Sequence, residues 1–309
     1  MALTPLLSAA LPAALLSWAA TGLMLPWLRR SLLDHPNARS AHLQPTPRGG
    51  GLGFVLVSSA WALPRVPLLC LPLAIVGFLD DRVNLPASWR YSAQLLTAMA
   101  LLASAALPLP SGWLRLPLLL VLLVAITAVI NFVNFTDGLD GLVAGCGAVL
   151  FAVAGLSLDL SWAWVLAGSL VGFLVWNWSP AKVFMGDVGS TYIGAAFAGA
   201  ALQAPSALQA LGLLLVGFPL LGDACSCVLR RLAAGHPVFQ AHRLHLFQRL
   251  HQAGWAHRRV ALLYIGATTL LGAGLLLGGF TTLLGLIALE ALVGLALDRW
   301  VAVPWQKVA

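Results

Sequence analysis

The sequence predicts an all-α integral membrane protein, a polytopic bundle of about 10–11 transmembrane helices with its polar chemistry on one face. Three observations carry this. Of the 309 residues 60% are hydrophobic and only 9% charged, against about 25% charged in a soluble domain. Apolar runs recur along the whole chain instead of once at its start. The basic residues fall on alternate connections between those runs, as the helices of a membrane protein require.

A helix needs roughly 20 apolar residues to cross a bilayer. Such segments run approximately over 4–28, 49–63, 67–79, 91–109, 114–133, 141–158, 162–178, 189–204, 207–229, 260–278 and 281–298. The first, from Leu3 to Leu28, is too long for a signal-peptide core and lacks a basic start, so it reads as a spanning helix. The second and third are short. A re-entrant hairpin around Pro64 and Pro67 would return the chain to the same side as two full spans. The whole chain, 1–309, reads as one transmembrane domain, with loops of one sidedness near 29–48, 80–90, 134–140, 179–188 and 230–259.

Under this topology one side holds all of the 17 Lys and Arg residues except Arg65 and Arg115. By the positive-inside rule that side is cytoplasmic, which places the N-terminus in the periplasm and the C-terminus in the cytoplasm. The net charge of +7 then reflects topology and contact with an anionic lipid bilayer, and no nucleic acid is expected as a partner. Cys70, Cys146, Cys225 and Cys227 lie in apolar stretches without disulfide or metal-knuckle spacing and read as small buried residues.

The ten acidic residues are more informative. Asp34, Asp80, Asp81, Asp137, Asp140, Asp187 and Asp298 share the cytoplasmic face. Asp80 and Asp81 end an apolar run. Neighbours on a helix point about 100° apart, so one can act chemically while the other caps or orients. In Asn131-Phe132-Val133-Asn134-Phe135-Thr136-Asp137-Gly138-Leu139-Asp140, polar groups recur every third residue and the following glycines permit a turn. Asn131, Asn134, Asp137 and Asp140 are therefore expected to converge. Oxygen-only donors suit Mg²⁺ shared with substrate phosphates, whereas a helix cap would need one such residue.

Phe184-Met185-Gly186-Asp187-Val188-Gly189-Ser190 sets an Asp among small residues at a helix start, where backbone amides can meet phosphate. In the first loop, Asp34, Arg39, Arg48 and the triple glycine 49–51 are candidates for an anionic ligand. The loop 230–259 brings His242, Arg243, His245 and Arg249 together; no neighbouring Glu or Cys completes a zinc motif, so phosphate binding is the better reading. Asp223 and Glu290 fall inside predicted spans, where carboxylates are functional suspects. Asp223 could still border the cytoplasmic site; Glu290 has no rationale in the sequence.

Taken in order, these motifs resemble the polyprenyl-phosphate N-acetylhexosamine-1-phosphate transferase family, glycosyltransferase family 4. Its members include enzymes that begin O-antigen and enterobacterial common antigen chains and the phospho-N-acetylmuramoyl-pentapeptide transferase. The resemblance implies transfer of a sugar-1-phosphate from a UDP-sugar to undecaprenyl phosphate, releasing UMP, with Mg²⁺ as cofactor and Mn²⁺ an acceptable substitute. It implies that Asp187 and Asn134 serve the metal and diphosphate, and that Asp140 and Phe184 contact uracil, with Phe184 stacking on the base. By the same likeness Asp80 orients or deprotonates the lipid phosphate beside Asp81, and Asp80, Asp81 and Asp137 are the catalytic candidates. Asn131, His242, His245, Arg243, Arg249, Asp34, Arg39 and Arg48 are the further substrate-binding candidates.

The histidine stretch His242-Arg243-Leu244-His245 departs from the consecutive histidines of the pentapeptide transferases and from the His-x-His-His cluster of the common-antigen enzymes. It resembles the O-antigen-initiating branch. The family likeness also allows a homodimer, and a direct displacement is favoured because a phosphate monoester needs little activation. The competing class is a secondary transporter, which would place ionisable residues near the midplane within internal repeats. Here most lie at one interface, and no repeat is visible.

Overall fold

The computed structural model describes residues 6–36, 44–61, 65–237 and 242–307. In chain order its helices are α1 (Leu11–Ser31), α2 (Leu52–Ala60), α3 (Arg65–Val83), α4 (Ala87–Ala103), α5 (Arg115–Thr136), α6 (Leu142–Leu158), α7 (Ser161–Asn177), α8 (Asp187–Leu202), α9 (Ala207–Val216), α10 (Phe218–Ala233), α11 (Leu246–Gln252) and α12 (His257–Trp300). Two short strands, β1 (Leu33–Asp34) and β2 (Thr46–Pro47), pair antiparallel with Asp34 opposite Thr46. The sequence left that stretch irregular because of its prolines.

Three stretches are long and apolar enough to cross a membrane: Ser8–Ser31, Gly112–Thr136 and His257–Trp300. The pair α9 and α10 adds a fourth, bent by 81°. Leu23, Leu116, Val124 and Leu277 stand exposed, as lipid-facing side chains do, while exposed Trp113 and Trp300 sit near helix ends where an interfacial belt forms. The chain is a polytopic all-α membrane protein.

Several predicted segments differ in form. The second is the nine-residue α2, only about 14 Å long by helical rise. The ninth is not one straight helix. Pro219, at the start of α10, lacks an amide hydrogen and its ring would clash with the carbonyl four residues back, so α9 cannot continue through it. The last two predicted spans are the arms of α12, divided at Gly279, whose φ of 72° no helix contains.

The core is built around α8. Every residue from Val188 to Leu202 is buried, because a run rich in Gly, Ala, Ser and Thr presents small side chains on all sides and lets α3 and α5 close on it. Its one large polar side chain, Tyr192, is satisfied by Ser58 at 3.0 Å and Ser59 at 2.9 Å on α2. On the other flank α1 and the residue before it, Ala10, lie against α7 through Gly168 and Gly172. A Cβ on either would stand 2.0 Å from a carbonyl oxygen of the facing backbone, that of Ala10 or Ala14. The central helix thus begins, at Asp187, among the C-terminal ends of α3 and α5.

Candidate active site

Asp187 is the first residue of α8, reached through Gly186 at φ 75°. Helix starts leave amides unpaired, and here Asp81 supplies the acceptor from another helix: its Oδ1 takes the Asp187 N–H at 3.0 Å and its Oδ2 the Val188 N–H at 3.3 Å. The sequence makes Asp81 a catalytic candidate; in the structure both its oxygens cap α8 and it is 4% exposed, which is the place of a positioning residue. Its neighbour Asp80 has a different set of partners. Asp80 accepts from Leu85 N at 2.6 Å and faces Arg90 at 3.3 Å, and it stands in contact with Asp187.

Burial, then the charges of Asp81 and Asp80, push the Asp187 carboxyl up. Burial, then Asp187 and Asp140, push Asp137 up to about 7. Asp81 is also raised by burial, against the pull of its two amide partners and Arg48. Three crowded carboxyls so short of compensating charge are a setting that a divalent cation relieves. Asp187, Asp137 and the Asn134 amide offer oxygen alone, the donor set of a hard cation such as Mg²⁺.

A cavity of about 340 Å³ opens beside this cluster, and its walls include Arg90, Asn131, Asn134, Asp187, His242 and His245. The four-residue convergence expected from 131–140 is only partly realised. Asn134 lines the cavity and accepts from the Ser190 hydroxyl. Asn131 also lines it, but its amide is engaged in a reciprocal pair with Gln94, at 3.1 and 2.8 Å. Asp137 remains with Asp187. Asp140 still acts on Asp137 by its charge, but its carboxyl takes other partners, because α5 ends at Thr136 and the chain turns before Gly141. It faces His257 at 3.1 Å and accepts from Ala181 N at 3.2 Å. Although burial opposes ionisation, His257 and the Ala181 amide hold its carboxyl below the usual range. Asp140 thereby touches the 179–186 segment that carries Phe184.

Phe184 is half-buried, its backbone pairing with the first loop: Phe184 N donates to Pro47 O at 2.8 Å and Gly50 N donates to Phe184 O at 2.9 Å. Gly51 N donates to Met185 O at 2.9 Å. The triple glycine read as an anion cradle is therefore committed to backbone: the amides of Gly50 and Gly51 are spent on carbonyls. Arg48 reaches the carboxylate cluster electrostatically. Asp34 sits in the ribbon opposite Thr46, and Arg39 lies outside the described residues.

The histidine segment is positioned by Asp223. Its two oxygens accept from Leu246 N at 2.8 Å and Phe247 N at 3.1 Å, and the Tyr264 hydroxyl donates to it at 2.7 Å. A carboxylate suspected because it lies in a span thus starts α11, as Asp81 starts α8. His245, just before α11, is buried and stacks on His242 with ring centroids 5.1 Å apart. The Arg243 carbonyl accepts from Gln252 at 3.0 Å. Arg249, read as a phosphate ligand, is instead buried: it donates to the carbonyls of Leu244 at 3.1 Å and Val303 at 2.9 Å, and to Asp298. Its guanidinium is consumed by the chain itself.

Arg90, Tyr91, Gln94 and Thr191 also line the cavity; from the sequence Arg90 reads only as a topological charge. The signal in the sequence is that Arg90, Gln94 and Thr97 recur at helical-turn spacing and so share one face of α4.

Glycosyl transferase family 4 matches residues 65–204, which contain α3 to α8 and the whole carboxylate cluster. The chain is 33% identical to the decaprenyl-phosphate N-acetylglucosaminephosphotransferase of Mycobacterium leprae, with 82% of this chain and 78% of that protein covered. It is 28% identical to a probable undecaprenyl-phosphate N-acetylglucosaminyl 1-phosphate transferase of Bacillus subtilis, covering 74% and 72%. It is 29% identical to the phospho-N-acetylmuramoyl-pentapeptide-transferase of Halalkalibacterium halodurans, covering 78% and 87%. An ordered carboxylate cluster at the head of a buried helix, in a membrane bundle with these relatives, leads to one conclusion: the chain belongs to the polyprenyl-phosphate N-acetylhexosamine-1-phosphate transferase family.

Proposed function

We propose that the protein transfers an N-acetylhexosamine-1-phosphate, N-acetylglucosamine or a 6-deoxy relative, from a UDP-sugar to undecaprenyl phosphate, releasing UMP. The observation that carries this is that Asn134 and Asp187 line the same cavity as Arg90, His242 and His245. Acidic oxygens suited to a cation stand opposite basic groups suited to phosphate, as a reaction between two phosphate-bearing substrates demands.

In this reading Asp187 and Asn134, with Asp137 behind them, hold Mg²⁺ or Mn²⁺. When bound, the cation neutralises charge on the donor diphosphate. Asp80, held by Arg90 and the Leu85 amide, orients the attacking lipid phosphate or takes its proton. The oxygen of that monoester displaces UMP directly at the sugar-bearing phosphorus. Asp140 and Phe184, joined through the 179–186 segment, receive the uracil. His242, His245 and Arg243 bind the sugar and its phosphate, while Asp81, Asp223 and Arg249 hold the elements that present them. Arg48 supports the cluster by its charge.

The membrane is the bacterial inner membrane, with the cavity open to the cytoplasm, the N-terminus periplasmic and the C-terminus cytoplasmic. The product would begin an O-antigen or another cell-surface polysaccharide. UMP release by the purified protein tests the reading, with undecaprenyl phosphate, Mg²⁺ and a panel of UDP-N-acetylhexosamines, with and without EDTA. Lipid- and metal-dependent UMP names both reaction and donor. Folded protein that releases none with any donor would overturn it.

A further inference from the structure

Cys227, His242 and His245 come together in the wall between two cavities. His242 and His245 line the polar cavity described above. Cys227 lines a second cavity of about 630 Å³, largely apolar, between α10 and the two arms of α12. The chain brings them together in two steps. Cys227 lies one helical turn after Asp223 on α10 and so shares its face. Asp223 holds the first amides of α11, whose preceding residue is His245.

As a result the Cys227 sulfur and one ring nitrogen from each histidine lie within 4.8 Å of one another. A tetrahedral zinc ion with ordinary Zn–S and Zn–N lengths spaces such atoms at about 3.4–3.6 Å. Movements of about an ångström would close the site. The imidazole is oriented from within the chain: His245 is 2% exposed, its Nδ1 faces the Asp223 carboxylate at 3.7 Å, and Asp223 is the residue that also fixes the start of α11.

We propose that Cys227, His242 and His245 form a three-ligand site for a soft divalent cation of the Zn²⁺ class, separate from the oxygen site at Asp187. Thiolate and imidazole select such an ion, whereas carboxylate and amide oxygens select Mg²⁺, so the two sites discriminate by donor type. Binding releases the Cys227 thiol proton to solvent, and the fourth coordination position is left to water. On the transferase reading above, the ion occupies the imidazoles that face the donor, so zinc inhibits while Mg²⁺ activates.

The test titrates Co²⁺, a spectroscopic stand-in for zinc, into tag-free full-length protein in detergent. We expect one equivalent of tetrahedral Co²⁺ with a thiolate charge-transfer band, displaced by Zn²⁺ and indifferent to excess Mg²⁺. Cys227→Ser should remove the band and weaken binding by more than about tenfold, and Cys225→Ser, on the same helix, should leave both unchanged. Failure of the band to form in the unaltered protein, or its survival in Cys227→Ser, overturns the site. Should Cys227→Ser not fold, Cys227→Ala is read in the same way. UMP release is followed separately. Zinc inhibition that Cys227→Ser escapes supports the regulatory role, and a cobalt band without inhibition overturns that role. A cobalt band in protein that turns over no donor keeps the metal site and sinks the transferase reading.

Discussion

Arg249 and Asp298, 49 positions apart in the chain, are joined by a direct ion pair, and Asp298 also takes both terminal nitrogens of Arg230, at 2.9 and 3.0 Å. The Trp305 ring lies 5.7 Å from each guanidinium. Val303 N donates to Arg249 O at 3.2 Å while its carbonyl accepts from Arg249 at 2.9 Å. The last arm of α12 is thereby latched onto α10 and α11, the elements that present the histidines.

Removing Asp298 leaves Arg249 charged at 2% exposure, with the Leu244 and Val303 carbonyls still accepting from it but one terminal nitrogen without its acceptor. A stranded buried donor costs about 1–3 kcal/mol, more when charged. Because the Asp298 side chain is 22% exposed, the lower half of that range applies. Asp298→Ala should lower the thermal unfolding midpoint in detergent and raise KM for the donor more than it lowers kcat. An unchanged midpoint would show that the latch contributes nothing.

Much of this architecture was legible and its wiring was not. Apolar length marks a helix wherever it occurs, so ten of the eleven predicted segments correspond to described helices or to an arm of one, and the ninth to a bent pair. Clustered Asp and Asn residues likewise announce a site. Assigning each carboxylate a task requires partners remote in sequence: Asp81 caps an amide 106 positions on, and Asp223 one 23 positions on. No local period encodes such a pairing. Nor could spacing show that Asp140 would take His257 and Ala181 as partners, since that depends on where α5 ends.

Asp187 and Asp81 should therefore respond differently to the same substitution. Asp187→Asn removes the charge at the proposed cation site, and UMP release should fall by at least about a hundredfold with the unfolding midpoint kept or raised, because a crowded buried charge is gone. Asp81→Ala removes the cap of α8 and should cost about 1–2 kcal/mol. Thermal unfolding and initial rates on the two purified variants check this. A stable Asp81→Ala protein would deny the capping role, and near-normal rates from Asp187→Asn would remove the cation site.

Chelation separates the oxygen site from a purely basic phosphate pocket. EDTA should abolish turnover, and Mg²⁺ or Mn²⁺ should restore it, since both accept carboxylate and amide oxygens. Asn134→Ala should raise the Mg²⁺ concentration needed for half-maximal rate by about tenfold or more while the protein stays folded. Rates indifferent to EDTA would place the chemistry on Arg90 and the histidines alone.

The contact of α1 with α7 offers a test of the fold independent of the chemistry. Gly168 and Gly172 stand four residues apart on one face, and a Cβ at either would meet a carbonyl oxygen at 2.0 Å. Backbone cannot swing aside as a flexible side chain can, so the helices must separate and lose contact along their length. In a bilayer that loss is not offset by a hydrophobic drive, because lipid is as apolar as the partner helix. Overpacking of this kind costs about 1–3 kcal/mol per site. Gly172→Ala should lower the unfolding midpoint, and Gly168→Ala combined with it should lower it further by less than the sum, since the first substitution already parts the helices. The Asp187 cluster is built by α3, α5 and α8 and should retain its metal dependence in whatever fraction remains folded. Additive losses would mean that the two glycines act separately and that α1 bends locally instead of moving as a unit.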